Sequence, residues 1–293
     1  MCDDDSLDDM VEHLGRNDAL SRRRFAALSA GAGLLTVLPR AANAAEVTEQ
    51  EVEIRTSAGT ADAFFVHPSA KGKYPAVLVW PDIFGLRPAF RQMARRLAES
   101  GYTVLVPNPF YRLKRAPTSP AGANLQDEAT RNMLMGMSRS LTPETQVSDT
   151  QAFIGWLDGQ ASVDGRRKMG TTGYCMGGPI TMRAAAAFPD RIGAGASFHG
   201  GGLATDKPDS PHLLVPKMKA QYLIAIAAND DEREPNAKVL LKEAFEKAKL
   251  PVEIEVYAGT KHGWCPPDAA VYDEAQAEKA WARMMSLFQK ALV

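Results

Sequence analysis

The stretch PAVLVWP (residues 75–81) is apolar at every position between its two prolines. A short run with no polar side reads as a strand covered on both faces, and such strands belong to parallel sheets with helices packed above and below. The rest of the chain follows the same alternation. DIFGLRP leads into AFRQMARRLAES, an amphipathic helix stopped by Gly101, and YTVLVP is the next strand. Then come the helix PETQVSDTQAFIGWLDGQ, the strand RKMGTTG, the helix MGGPITMRAAAAF, and the strands GAGASFHG and QYLIAIAAND. NAKVLLKEAFEKAKL (helix), VEIEVYAG (strand) and YDEAQAEKAWARMMSLFQKAL (helix) complete the series. The alternation predicts an α/β fold with a mostly parallel central sheet and helices on both faces. VEIRT and ADAFFVHP read as an antiparallel opening pair. Residues 108–143 are polar, proline-containing and patternless, and are expected to form a long surface excursion.

The first 44 residues have another character. An acidic opening (MCDDDSLDDMVEHLG) gives way to Ser21-Arg22-Arg23-Arg24-Phe25, then to AALSAGAGLLTVLP, and ends in Ala42-Asn43-Ala44. A basic segment, a short apolar run and a small-x-small pattern describe a signal peptide. The order S-R-R-x-F resembles the twin-arginine export motif, which implies the twin-arginine machinery as a partner and a periplasmic or exported product. The apolar run is short for a bilayer span; an amphipathic N-terminal helix or a retained anchor is the competing reading. Residues 45–293 then form one domain, long enough for a sizeable core. The leader carries five arginines against six aspartates and one glutamate, which leaves the mature part close to neutral. With no basic stripe, nucleic acid is not an expected partner. The mature protein is expected to act as a monomer, away from the membrane.

TGYCMGG (172–178) stands between a strand and a helix. A G-x-C-x-G there has the form of a nucleophile elbow, in which a sharp turn lifts the nucleophile above the sheet and glycines sit where side chains would clash. The helix that starts near Met176 would point its positive end at the Cys175 sulfur and favour thiolate. A thiolate nucleophile needs a base and an acid to orient that base. Asp230 or Asp231 follows the strand QYLIAIAAN, and His262 follows VEIEVYAG. Nucleophile, acid and histidine thus each follow a strand at its C-terminal end, where open parallel sheets place their sites. Of the two aspartates Asp230 is preferred, and the other reads as a helix cap. Backbone N–H groups of Met176 and Ile83 are the candidate oxyanion donors. The histidines of the mature part (His67, His199, His212, His262) show no metal-ligand spacing, and no dinucleotide or phosphate fingerprint appears, so neither metal nor cofactor is expected.

These stretches, DIFGL (82–86), PNPFYR (107–112), GYCMGG (173–178), AANDD (227–231) and KHGW (261–264), together resemble the dienelactone hydrolase family, thiol members of the α/β-hydrolase fold. The resemblance implies hydrolysis of a small ester or lactone through a thioester on Cys175, with His262 as base and Asp230 as its orienter. It also implies that Asp82 stands where the family carries a glutamate that touches the resting thiol. Family members that act on dienelactone clamp its carboxylate with arginines, one of them four residues after the histidine. Here that place is Pro266, so the family's chemistry is better supported than its named substrate. Arg112, Arg115, Arg131 and Arg139 lie in the excursion without an assigned place.

Other features admit two readings. Met133, Met135 and Met137 alternate, as in an adaptable lid or in plain loop packing. His199 is a structural residue or a neighbour of the site, and Trp264 is a pocket wall or a core residue. Two functions compete with the lactone hydrolase: a broad carboxylesterase or thioesterase, and a non-catalytic exported binding module in which Cys175 and Cys265 form a disulfide.

Overall fold

The computed structural model describes residues 44–120 and 122–292. The leader expected over residues 1–44 lies, apart from Ala44, outside the described residues. Two antiparallel strands, β1 (Val47–Thr56) and β2 (Gly59–Pro68), open the chain. Then follow β3 (Ala76–Trp80), α1 (Pro88–Glu99), β4 (Thr103–Pro107), α2 (Glu128–Ser138), α3 (Pro143–Asp158), β5 (Met169–Tyr174), α4 (Gly177–Ala187) and β6 (Ile192–Phe198). A 3₁₀ segment (Pro211–Lys217), β7 (Gln221–Ala227), α5 (Ala228–Arg233), α6 (Ala237–Ala248), β8 (Val252–Tyr257) and α7 (Glu274–Ala291) complete it. The eight strands form one sheet in the order β1-β2-β4-β3-β5-β6-β7-β8. β2 pairs with β4 antiparallel, and every neighbouring pair from β4 to β8 is parallel. This is the mostly parallel sheet that the apolar run at 75–81 called for.

Alternate residues of the strands feed two separate cores, as the two-residue period of a strand requires. Ala76, Leu78 and Trp80 join Phe153, Leu157, Ile180 and Phe245 on the face covered by α3, α4 and α6. Val77 and Val79 join Phe90, Met93, Trp281, Met284 and Phe288 on the face covered by α1 and α7. Local signals set the helix ends. Pro88 opens α1, Gly101 (φ 95°) reverses the chain after it, and Asp273 caps α7 by accepting from the Gln276 N–H.

One expectation needs correction. The stretch 108–143 is not patternless throughout, because α2 lies inside it. Asp127 caps this helix by accepting from the Thr130 N–H at 2.8 Å, and Leu134, Met135 and Met137 are buried. The alternation at 133, 135 and 137 is therefore not a device in itself, since residues two apart on a helix point to nearly opposite sides. The segment before it is tied down by PNPFYR. Arg112 makes a two-pronged pair with Asp149 of α3 at 2.6 Å and 2.6 Å, and the Tyr111 hydroxyl donates to the same carboxylate at 2.7 Å.

The order of strands also places the site. The chain runs from β3 outward to β4, then returns to lay β5 on the other side of β3. Ligand sites in open α/β sheets form at such a reversal, beyond the carboxyl ends of the strands. Trp80 is in register with Gly173, so the loops that leave β3 and β5 start side by side.

Candidate active site

Cys175 follows the last residue of β5 with φ 54°, a left-handed conformation uncommon outside glycine. The turn is held by the Cys175 N–H donating to the Phe198 carbonyl at 3.1 Å, and by the Gly178 N–H donating to the Cys175 carbonyl at 3.0 Å. Its tightness explains the glycines. A Cβ on Gly173 would lie 2.1 Å from the Gly177 carbonyl oxygen, and one on Gly177 would lie 2.5 Å from the Trp80 carbonyl oxygen. Cys175 is buried, at the start of α4, whose N-terminal end has no side-chain cap. The thiol belongs to an apolar cluster with Ile83, Phe110 and Met135, against which Phe84 and Met133 pack half-buried. Ile83 and Met176, the expected oxyanion donors, sit buried on the two adjacent loops after β3 and β5.

Of the two aspartates, one contacts the histidine. Asp230 reaches His262, with Nδ1 2.8 Å from one carboxylate oxygen and 3.1 Å from the other. Asp231 turns away to Lys238 at 2.6 Å. Two residues not singled out in the sequence brace this pair. Asn229 accepts the His262 backbone N–H at 2.8 Å, and Arg233 donates to Asp230 at 3.2 Å. Burial pushes the Asp230 carboxyl up, but His262 and then Arg233 outweigh it and hold the group below the usual carboxylate range. A carboxylate held low in the folded state adds stability above its unfolded pKa of about 3.9. That stability is lost as pH falls through the folded value. Asp230→Asn should therefore lower the melting temperature at neutral pH and flatten its acid side, measured by thermal melts from neutral pH down to about pH 3.

Asp82 is gripped by Arg87. Its two oxygens accept from Arg87 at 2.6 Å and 2.9 Å, and one of them also accepts the Phe84 N–H at 3.0 Å. Arg87 in turn donates to Asp268 at 2.7 Å and 3.0 Å, and lies over the Phe90 ring at 4.8 Å. Burial opposes its charge, but Asp82 and Asp268 more than compensate and raise its pKa. The arginine thus ties the loop after β3, which carries Ile83, to the loop beyond His262. Arg87→Lys cannot keep two forked pairs at once. We expect it to destabilise the fold by about 2 kcal/mol and to lower kcat/KM about tenfold, read from melts and initial rates on one preparation.

Two further expectations are revised. Trp264 is wholly buried and packs on Tyr257 at 4.5 Å between ring centres, so it fills the core behind the site rather than offering a surface to substrate. Cys175 and Cys265 form no disulfide, and they belong to the cores on opposite faces of the sheet. The disulfide-bonded binding module is thereby contradicted. Gly263, with φ 95°, turns the chain between His262 and Trp264 and sends Cys265 away from the site. His199, left between two readings, packs directly on His262 with ring centres 5.0 Å apart. Of the excursion's arginines, Arg112 is committed to Asp149 and Arg115 to Glu53.

Comparison with known proteins gives one consistent result. The pattern of the dienelactone hydrolase family matches residues 61–292. A protein of Methylorubrum extorquens with the provisional name carboxymethylenebutenolidase is 29% identical over 97% of this chain and 98% of its own length. The carboxymethylenebutenolidase of Rhodococcus opacus is 25% identical, over 80% of this chain and 88% of its own. Among solved structures, a Klebsiella pneumoniae protein provisionally named a dienelactone hydrolase superposes with a TM-score of 0.72 at 24% identity. That superposition covers 84% of this chain and 99% of the other.

Proposed function

Because the chain belongs to the dienelactone hydrolase family, we propose that it hydrolyses small esters or lactones through an acyl-enzyme on Cys175. The observation that carries this reading is the Asp230–His262 pair at 2.8 Å, which follows β7 and β8 at the same carboxyl edge of the sheet where Cys175 follows β5 in a left-handed turn. Asp230 holds Nδ1 of the imidazole, which directs Nε2 to the proton chemistry. The Cys175 sulfur gives its proton to His262 and attacks the carbonyl carbon. The oxyanion that forms is met by the N–H groups of Ile83 and Met176, with the N-terminal end of α4 behind it. The tetrahedral species collapses as the carbon–oxygen bond of the ester breaks, and His262 returns the proton to the departing alkoxide. In a lactone that alkoxide stays tethered to the acyl group. Water then attacks the thioester, His262 takes its proton, and the acid leaves as Cys175 is restored.

A broad carboxylesterase is the second reading, favoured by Pro266 at the place of the family's arginine and by the ion pairs that engage Arg112 and Arg115. The two are separated by comparing kcat/KM for a neutral p-nitrophenyl ester with that for an ester and a lactone bearing a free carboxylate. A preference for the carboxylate-bearing pair supports a dienelactone-like substrate, and a preference for the neutral ester supports the second reading. Loss of neither activity on blocking the cysteine would sink both.

The residues Ser21-Arg22-Arg23-Arg24-Phe25 and Ala42-Asn43-Ala44 support export through the twin-arginine machinery, with cleavage after Ala44 and a periplasmic product. The mature N-terminus, read by mass spectrometry on protein from a host with that machinery, is then Ala45. An intact N-terminus would contradict it.

A further inference from the structure

His199 follows the last residue of β6 with φ 40°, a left-handed conformation that a side chain tolerates poorly. Three glycines, Gly200, Gly201 and Gly202, come directly after it, yet histidine holds the strained place. Its backbone N–H donates to the Ala225 carbonyl at 2.8 Å, while Phe198 before it accepts from Cys175. The residue is therefore fixed at the same strand ends that fix the cysteine turn. Its ring is 1% exposed, yet neither nitrogen has a hydrogen-bond partner of normal geometry, beyond a loose approach to the residue's own main chain. A histidine that merely filled space would have its nitrogens satisfied, since a buried polar atom left unpaired is costly. What the ring does have is aromatic company: His262 edge-to-face at 5.0 Å, Tyr174 at 6.1 Å and Trp264 at 6.4 Å.

We infer that His199 is a positioning residue that acts through His262, its ring holding the His262 imidazole in the plane in which Asp230 grips it and shutting water off from that side. The inference rests on the reading of His262 as the base of the reaction. The charged or titratable groups that face His199 are His262, Asp230 beyond it, Arg87 from the start of α1 and the Tyr174 phenol. Burial first, then His262 and Arg87, lower the basicity of His199 well below the usual histidine range, against the pull of Asp230. Of the two imidazoles packed edge to face, only His262 then carries the proton that passes between sulfur, alkoxide and water. His199 keeps a second proton carrier out of the site while occupying the space where water would enter.

The test uses His199→Asn, which tolerates the left-handed backbone, and His199→Phe, which keeps a ring. Histidine ring NMR of the mature protein, assigned with His262→Gln, reads both imidazoles without any need for turnover. In the wild type the two imidazoles do not titrate together, and His199 stays neutral through the usual histidine range. In His199→Asn, water reaches the His262 ring and solvates its cation, so its apparent pKa rises by about half a unit or more. Its kcat falls about tenfold with KM changed by less than about twofold, and His199→Phe restores most of both values. An unchanged His262 titration with unchanged kcat in folded His199→Asn overturns the inference, as does a His199 that titrates together with His262. A folded His199→Phe as impaired as His199→Asn overturns the role of the ring. If the titration shift appears while the wild type shows no cysteine-dependent turnover, the inference stands and the proposed function fails.

Discussion

Cys175→Ala is expected to lower kcat/KM for an activated ester by about 10⁴-fold or more while the melting temperature stays within a few degrees of wild type. The two halves of this expectation have separate causes. Activity collapses because Cys175 is the group proposed to form the acyl-enzyme. What remains comes from binding and the oxyanion donors alone. Stability is kept because the left-handed backbone at φ 54° is already occupied by a residue with a Cβ, so alanine adds no new strain. The turn is set by Gly173 and Gly177, and removing one sulfur leaves only a small gap. Cys175→Ser should also lose most activity, because a hydroxyl needs a stronger base arrangement than a thiol. Initial rates and thermal melts on the same samples check both halves.

The second large effect is on the fold. Gly173→Ala would place a Cβ 2.1 Å from the Gly177 carbonyl oxygen and 2.3 Å from its carbon. Both are backbone atoms of the elbow, so no side chain can swing away to make room. β5 and α4 would have to part, and β5 is held on both sides by β3 and β6. Overpacking of a rigid site of this kind costs about 3 kcal/mol or more. For a domain of this length that corresponds to a fall of roughly 10 °C in melting temperature, with activity lost because the cysteine is displaced. Gly155→Ala, at a helix position where an added Cβ meets nothing within 4 Å, serves as the control: it should leave activity unchanged and raise the melting temperature by a few degrees at most.

The sequence revealed the fold where a local pattern has a single physical solution. A run such as AVLVW has no polar face, so it must be an inner strand, and Ala76–Trp80 is buried throughout. The contact between Asp230 and His262 was legible because each stands just beyond a strand, as Cys175 does, and parallel strands bring their carboxyl ends to one edge. The preference for Asp230 over Asp231 agrees with the contact to His262. The helix Glu128–Ser138 was missed because polar residues and Gly136 blur its period, although Asp127 three places before Thr130 is a capping signal. Arg87 and Asp268 lie 181 positions apart, and nothing local to either announces the other. Arg233 and Asn229 could have been found, since they flank Asp230 at helix spacing and at its immediate neighbour. Cys265 misled for the opposite reason. It lies near His262 in sequence, yet it belongs to the core on the other face of the sheet from Cys175.

The central claim is that Cys175 is an acylating nucleophile, and a burst experiment tests it directly. Mature protein is mixed with p-nitrophenyl acetate at high enzyme concentration, before and after treatment with iodoacetamide. Burial raises the Cys265 thiol pKa well above its ordinary value, so Cys265 stays protonated and slow to alkylate, and the reagent reports on Cys175. The account predicts a rapid release of about one equivalent of p-nitrophenol per chain, abolished when Cys175 is alkylated. No burst, or a burst that survives complete alkylation of Cys175, would contradict it.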